Sequence, residues 1–342
     1  MVRKAILAAV LLAANLGSAA LADGLRIGVS WANFQEERWK FDAAAMRSAI
    51  QRAGNTYVTT NAEGSAEKQL DDINKMITQG IDALVIHPVD KEAVGQAVEW
   101  ASAANIPVIA YDRLIEDPRV FYLTFDNVGV GRIIAATVRQ ARPEGNYVII
   151  KGDPGDANSG FLRQGMEEVI GAAVAGGTIK IVGEVNIDGW NPDGARGAME
   201  QILRETGNAV DAVLAQNDGM AGGVADALAA QGLNVPLGGQ DGDPAAINRV
   251  ARGTQTVSVW KNNLELGKAA GRIAGLLAAG TPMSRVPDAV KFSDGEKGIE
   301  MNAILLQPTA ITRDTVYMAI DADHISQKVA CAGAQPGVRG CN

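Results

Sequence analysis

Cysteine is almost absent from this chain: there are two residues in 342, Cys331 and Cys341, both near the C-terminal end. Histidine is as scarce, with only His87 and His324, far apart in sequence. So few thiols and imidazoles give no zinc-ligand cluster and no cysteine–histidine nucleophile. The acidic, glycine-rich stretch Gly238–Asp243 lacks the spacing and terminal Glu of a calcium loop. No metal or cofactor is therefore expected. Also missing are a G-x-S-x-G elbow, a P-loop and a G-x-G-x-x-G after the first strand-like run. Nor is there a basic block: 31 Lys and Arg stand against 39 Asp and Glu, a formal net charge of −8. That balance excludes the electrostatic footprint of a nucleic-acid or anionic-membrane binder.

Long apolar runs are missing too, except at the start. Arg3 and Lys4 precede an apolar core, Ala5–Ala14, and a small-x-small site, Ala20-Leu21-Ala22. This is the pattern of a secretory signal peptide, 1–22, and is too short for a membrane span. Export in turn makes Cys331 and Cys341 candidates for a small disulfide-closed loop in the tail, 331–342.

About 320 residues remain, more than one hydrophobic core usually organises, so two domains are expected. They alternate short apolar runs with amphipathic ones. Leu25–Trp31, Tyr57–Thr60, Ala83–His87, Ile106–Tyr111 and Val120–Phe125 read as strands separated by helices. A second set comes after them: Tyr147–Lys151, Ile179–Val185, Ala212–Ala215, Val235–Gly239 and Thr254–Trp260. Such alternation implies right-handed βαβ units and parallel sheets covered on both faces, an α/β architecture in two similar halves. Two more strand-like pieces, near 289–292 and 303–306, cannot both extend the second half without lengthening its sheet considerably. A return to the first half makes the domains discontinuous. The expected division is 23–126 with 262–290 in one lobe and 127–261 with 291–330 in the other.

The polar residues at the end of each apolar run carry the chemistry. Glu36, Glu37, Arg38 and Trp39 come after the first run, and Asp112 and Arg113 after the fourth. In the second half come Asp153, Asp156 and Asn158, then Asp188 and Trp190, then Gln216, Asn217 and Asp218. Gln240 and Asp241, then Lys261, Asn262 and Asn263, complete the set. Carboxyl ends of parallel strands bind ligands, and two such sheets aim theirs at one cleft. Any single Asp or Asn there is more often a helix cap than a ligand contact, as for Asp188 or Asp218. The recurrence across successive strand ends outweighs that objection. Carboxylates, amides and guanidinium groups make paired hydrogen bonds to hydroxyls. Indoles such as Trp39 and Trp190 cover the C–H faces of a pyranose. Arg38, Arg113 and Lys261 nearly balance Asp112 and Asp241, which suits a neutral polyhydroxylated ligand, a sugar, better than a phosphate or a metal ion. A glycoside hydrolase using Asp112 and Asp241 is the enzymatic alternative, but no other group equips the cleft for catalysis, and the expectation is a protein that is not an enzyme.

Taken in order, Glu37-Arg38-Trp39, Ala110–Arg113, Phe125–Asn127, Asp188–Trp190, Gln216–Asp218, Gly239–Asp241 and Gly253–Thr256 followed by Lys261 resemble the ribose/galactose-type periplasmic sugar-binding proteins of ABC importers, in particular their D-xylose-binding members. The similarity runs from about Gly24 to about Asp323. It implies a two-lobed periplasmic binding protein fold with three hinge crossings, closing on its ligand. It also implies sugar contacts from Arg38, Asp112, Arg113, Asn158, Asn217, Asp241 and Lys261, with Trp39 and Trp190 packed on the ring. The implied partners are a monosaccharide, an inner-membrane ABC permease and, as a further candidate, a chemoreceptor, for a periplasmic monomer. D-xylose is the expected ligand, with ribose, arabinose or galactose/glucose as alternatives. The chain departs from the pattern at Ala157, where the family carries Asn, at Asn33, where it carries an acid, and in its cysteine-bearing tail.

Overall fold

The computed structural model describes residues 24–341, so the expected signal peptide lies outside the described residues. The first half runs β1 (Arg26–Trp31), α1 (Arg38–Arg52), β2 (Thr56–Asn61), α2 (Ala66–Thr78), β3 (Ala83–Ile86), α3 (Gly95–Ala103), β4 (Val108–Tyr111) and β5 (Val120–Phe125). The second half runs α4 (Asn127–Ala141), β6 (Gly145–Lys151), α5 (Ala157–Ala175), β7 (Ile179–Asn186), α6 (Pro192–Thr206), β8 (Ala212–Ala215), α7 (Asp218–Ala230), β9 (Leu237–Asp241), α8 (Pro244–Arg252) and β10 (Val257–Trp260). Then come α9 (Asn263–Ala278), β11 (Val290–Phe292), β12 (Met301–Leu306), β13 (Thr309–Ile311), α10 (Val316–Asp321) and α11 (Gln327–Ala330).

Two sheets result. The first has the order β11-β12-β5-β4-β3-β1-β2 and the second β13-β10-β9-β8-β6-β7. All pairings are parallel except β11 with β12 and β10 with β13. In the first sheet, residues of alternate parity enter separate cores. Ile109, Tyr111, Phe121 and Leu123 face α1 and α9, whereas Val108, Ala110, Val120 and Tyr122 face the opposite layer with Val98 and Ala101 of α3. Burial on both faces is why β3, β4 and β5 read as unbroken apolar runs. The expected two-lobed α/β architecture is thus observed. The strand order reverses at β1 and again at β6, and crevices open there at the strands' carboxyl ends.

The lobe boundaries differ from expectation in the last third. The sequence pattern puts residues 291–330 in the second lobe, but β12 pairs in parallel with β5 over Asn302–Leu306. Met301, Ala303 and Phe292 enter one first-lobe core and Ile304 the other. Both faces of β12 therefore enter cores built mainly by the first lobe. The last crossing falls between Leu306 and Thr309, where the chain turns into β13 beside β10. It lies against the first crossing, since the Asp126 N–H donates to the Leu306 carbonyl at 3.0 Å. The tail belongs to the second lobe. Cys331 and Cys341 are disulfide-bonded, Val338 is buried with Ile247, Val250 and Trp260, and the Gln335 N–H donates to the Ala251 carbonyl at 2.9 Å.

Helix α9 returns the chain to the first lobe by packing on α1, and glycine sets the approach. A Cβ on Gly267 would lie 2.8 Å from the Ala45 methyl and 2.8 Å from the Asp42 carbonyl oxygen. Gly267→Val is expected to lower stability by about 1–3 kcal/mol through overpacking, read as an earlier denaturant midpoint. An unchanged midpoint would show that the two helices are not held this close.

Candidate functional site

The nine residues that the sequence points to come together. Arg38, Trp39, Asp112, Arg113, Asn158, Trp190, Asn217, Asp241 and Lys261 line one narrow cavity between the lobes, joined by Glu36, Asp156 and Gln240. Each sits at or just beyond the carboxyl end of a strand, or in the first turn of the helix after it. Asn33 is not in the lining. Its carboxamide oxygen accepts the Gln35 N–H at 3.0 Å and caps a turn instead.

The three joining residues are not among the expected sugar contacts, although all stand among the polar residues after strands. Asp156 and Asn217 show why caps and site residues are hard to separate. Asp156 caps α5 through the Asn158 N–H, and Asn217 caps α7 through the Met220 N–H. Both also face the cavity, so the same short side chain serves helix and cleft.

The charged groups are paired across the lobes. Arg38 Nη1 meets Asp241 Oδ1 at 2.9 Å, and its Nη2 meets Asp112 Oδ2 at 3.1 Å. Arg113 Nε meets Asp156 Oδ2 at 3.0 Å, while its Nη1 donates to the Pro88 carbonyl at 3.2 Å. Asn158 Nδ2 donates to Asp112 Oδ1 at 3.2 Å. Lys261, 1% exposed, stands 4.0 Å from Asp112. First-lobe Arg38, Asp112 and Arg113 thus interlock with second-lobe Asp241, Asp156 and Asn158. Buried ions persist only when paired in this way.

Backbone strain collects here as well. Asp112, Trp190 and Asp241 have φ of 61°, 55° and 108°, conformations that cost side-chain-bearing residues on the order of 1–3 kcal/mol and persist where surroundings over-determine them. Asp112 is held by its N–H donating to the Leu123 carbonyl at 2.8 Å and by the Thr124 hydroxyl donating to its carbonyl at 2.8 Å. Trp190 is admitted by Gly152, where a Cβ would lie 2.2 Å from the indole. On the opposite side Trp39 stacks near His87, ring centroids 4.1 Å apart. Five buried polar atoms on cavity-lining residues have no hydrogen-bond partner among the described residues: Arg38 Nε, the indole nitrogens of Trp39 and Trp190, Asn217 Nδ2 and Gln240 Oε1.

Burial governs the protonation of this region. It raises Glu36 to about 7 against the opposing pull of Arg113, and Asp42 to about 7 against that of Arg38. Asp42 Oδ1 accepts the Tyr111 hydroxyl, while its Oδ2 has no hydrogen-bond partner among the described residues. Asp218 also rises to about 7 through burial. For Asp112, burial acts upward, but Arg38, Lys261, His87 and Arg113 together outweigh it and hold the carboxylate below its ordinary range. His87 is pushed down by burial and by Arg113.

Raised carboxyl pKa values mean that the folded state binds protons the unfolded chain has already lost, so stability falls as pH rises through 7. His87 and His324, both lowered by burial, act in the opposite sense, mainly below about pH 7, where the unfolded imidazoles bind protons. Between about pH 7 and 8 the carboxyl effect prevails, at up to ~0.7 kcal/mol per pH unit for each group, since a carboxyl with a pKa of about 7 is half protonated at the start of this window. The melting temperature is expected to fall across this window, and Asp42→Asn to reduce the fall. A melting temperature that rises with pH there would contradict the assignment.

Comparison with known proteins agrees with this geometry. A family model described as a periplasmic binding protein domain matches residues 27–282. The D-xylose-binding periplasmic protein of Escherichia coli (strain K12) is 39% identical over 259 residues, covering 75% of this chain and 78% of that protein. The protein of the same name from Haemophilus influenzae is 35% identical over 314 residues, covering 91% and 93%. The crystal structure of an ABC transporter solute binding protein from Clostridium phytofermentans with bound β-D-glucose matches at a TM-score of 0.82 and 27% identity, covering 89% of this chain and 99% of that one. Two lobes, a polar interlobe cleft and these relatives lead to one conclusion: the chain belongs to the periplasmic binding protein family, alongside its sugar-binding members.

Proposed function

We propose that this protein captures a monosaccharide, D-xylose foremost, in the interlobe cleft of the exported, monomeric chain. It then presents the closed form to an ABC permease in the inner membrane, with a chemoreceptor as a second reader of that form. The observation that carries this reading is the set of unpartnered buried polar atoms around the cavity, flanked by Trp39 and Trp190. Hydroxyls that both donate and accept match such a mixed set of N–H and C=O groups, and the indoles offer apolar area to a ring's C–H face. The cations are already matched by acids, which disfavours a phosphate.

A ligand drives closure only by touching both lobes at once. Arg38, Trp39, Asp112 and Arg113 come from one lobe, Asn158, Trp190, Asn217 and Asp241 from the other, and Lys261 from a crossing, so one ring in the cavity would do this. A binding role without turnover is supported by the relatives, which are named for the sugar that they bind. D-xylose is favoured over other sugars by the ligand that two of the relatives are named for.

Calorimetry of the protein lacking residues 1–22 against a panel of pentoses and hexoses tests the reading. D-xylose should bind tightest, and no heat with any monosaccharide would refute it. Asp241→Ala should weaken binding by about 1–3 kcal/mol, since hydroxyls and Arg38 lose a buried charged acceptor. Wild-type affinity in that variant would show that the cleft is not the site.

A further inference from the structure

Asp218 faces away from the cavity and is 1% exposed, yet its carboxylate is saturated with donors. Oδ2 accepts the N–H groups of Gly242 and Asp243 at 3.0 and 3.1 Å and the Ser258 hydroxyl. Oδ1 accepts Gln255 Nε2 at 2.8 Å. The partners are held in turn: Arg249 Nε donates to Gln255 Oε1 at 2.9 Å, and Arg249 Nη2 donates to the Asp218 carbonyl at 2.8 Å. Gly239 makes room, since a Cβ there would lie 2.4 Å from Asp218 Oδ1.

The two N–H groups belong to the turn that begins at Asp241. Asp241 and Gly242 have φ of 108° and 79°, and an aspartate in that region is strained unless the surroundings impose it. His324 Nε2 holds the Gly242 carbonyl at 2.6 Å, and Trp260 packs where a Cβ on Gly242 would fall. From this pinned turn the Asp241 carboxylate reaches Arg38 in the other lobe.

We propose that Asp218 is a positioning residue for ligand recognition: by accepting the Gly242 and Asp243 N–H groups it fixes the left-handed turn that aims Asp241 across the cleft. This deepens the functional reading above and rests on it for the role of Asp241. An amide at position 218 keeps one acceptor oxygen for the turn but sets its NH₂ against the Gln255 amide donor or against the turn's own N–H groups. Asp218→Asn therefore loosens the turn without creating a cavity.

A double-mutant cycle reads this out. Asp218→Asn should weaken D-xylose binding at least about threefold, and should weaken it no further when Asp241→Ala is already present, because residues acting through one another are non-additive. Unchanged affinity in Asp218→Asn, or an equal loss in the Asp241→Ala background, would overturn the proposal, since a general structural defect adds. Ser258→Ala, which removes one donor to the same oxygen, should act in the same direction and replaces Asp218→Asn if that variant does not fold. A crystal structure of either variant gives a readout independent of any sugar. Asp241 is expected to leave its positive φ and draw back from Arg38, and an unmoved Asp241 would overturn the proposal even if the sugar reading itself fails.

Discussion

The guanidinium of Arg38, 3% exposed, stands between a carboxylate of its own lobe and one of the other. Every other feature of the cleft is arranged around that buried charge. Lys261 and Asn158 converge on Asp112, Asp42 backs Arg38 from the next turn of α1, and Asp218 holds the turn that carries Asp241. An ion buried without such partners would cost several kcal/mol. The fold's task is therefore to deliver strand ends from two sheets to one place with matched charge. Two parallel sheets do this because every strand of a βαβ unit emits its polar end on the same side.

Pairing across the lobes also shapes how a ligand would act. Buried ion pairs add little net stability, because desolvation offsets most of their attraction. Arg38–Asp241 and Arg113–Asp156 therefore align the lobes without locking them. Hydroxyls between these groups would replace some ionic contacts by charge-assisted hydrogen bonds and add indole contact on both faces. That difference is what a ligand can use to shift the balance between open and closed forms. Burial raises Asp42, behind Arg38, to about 7, which lessens the negative charge that must share one guanidinium near neutrality.

Much of this is legible in the sequence. Apolar runs such as Val108–Tyr111 are buried on both faces, which removes the alternation of a half-exposed strand and leaves a run ending in charge. All nine expected site residues meet in one cavity because the strand-end rule depends on topology, not on side-chain detail. The features that are not legible have physical causes. Strand β13 is three residues long and exists through antiparallel pairing with β10, so no periodicity announces it. The last crossing escapes a sequence reading because β12 pairs with β5, nearly two hundred residues earlier in the chain, and pairing at that distance leaves no local mark. Asp156 stands in the sequence only as one of the polar residues after a strand; it caps α5, and its ion pair with Arg113 comes from the facing lobe. The helical pattern of the sequence spans Lys91–Ala104, but α3 begins at Gly95, because Asp90 Oδ1 captures the Glu92 and Ala93 N–H groups in a turn.

The most direct test of the account is a crystal structure of the protein grown with D-xylose. The account predicts one sugar ring between Trp39 and Trp190, with Arg38 and Asp112 of one lobe and Asn217 and Asp241 of the other within hydrogen-bond distance of its hydroxyls. A sugar bound outside this cleft, or contacting one lobe alone, would contradict it.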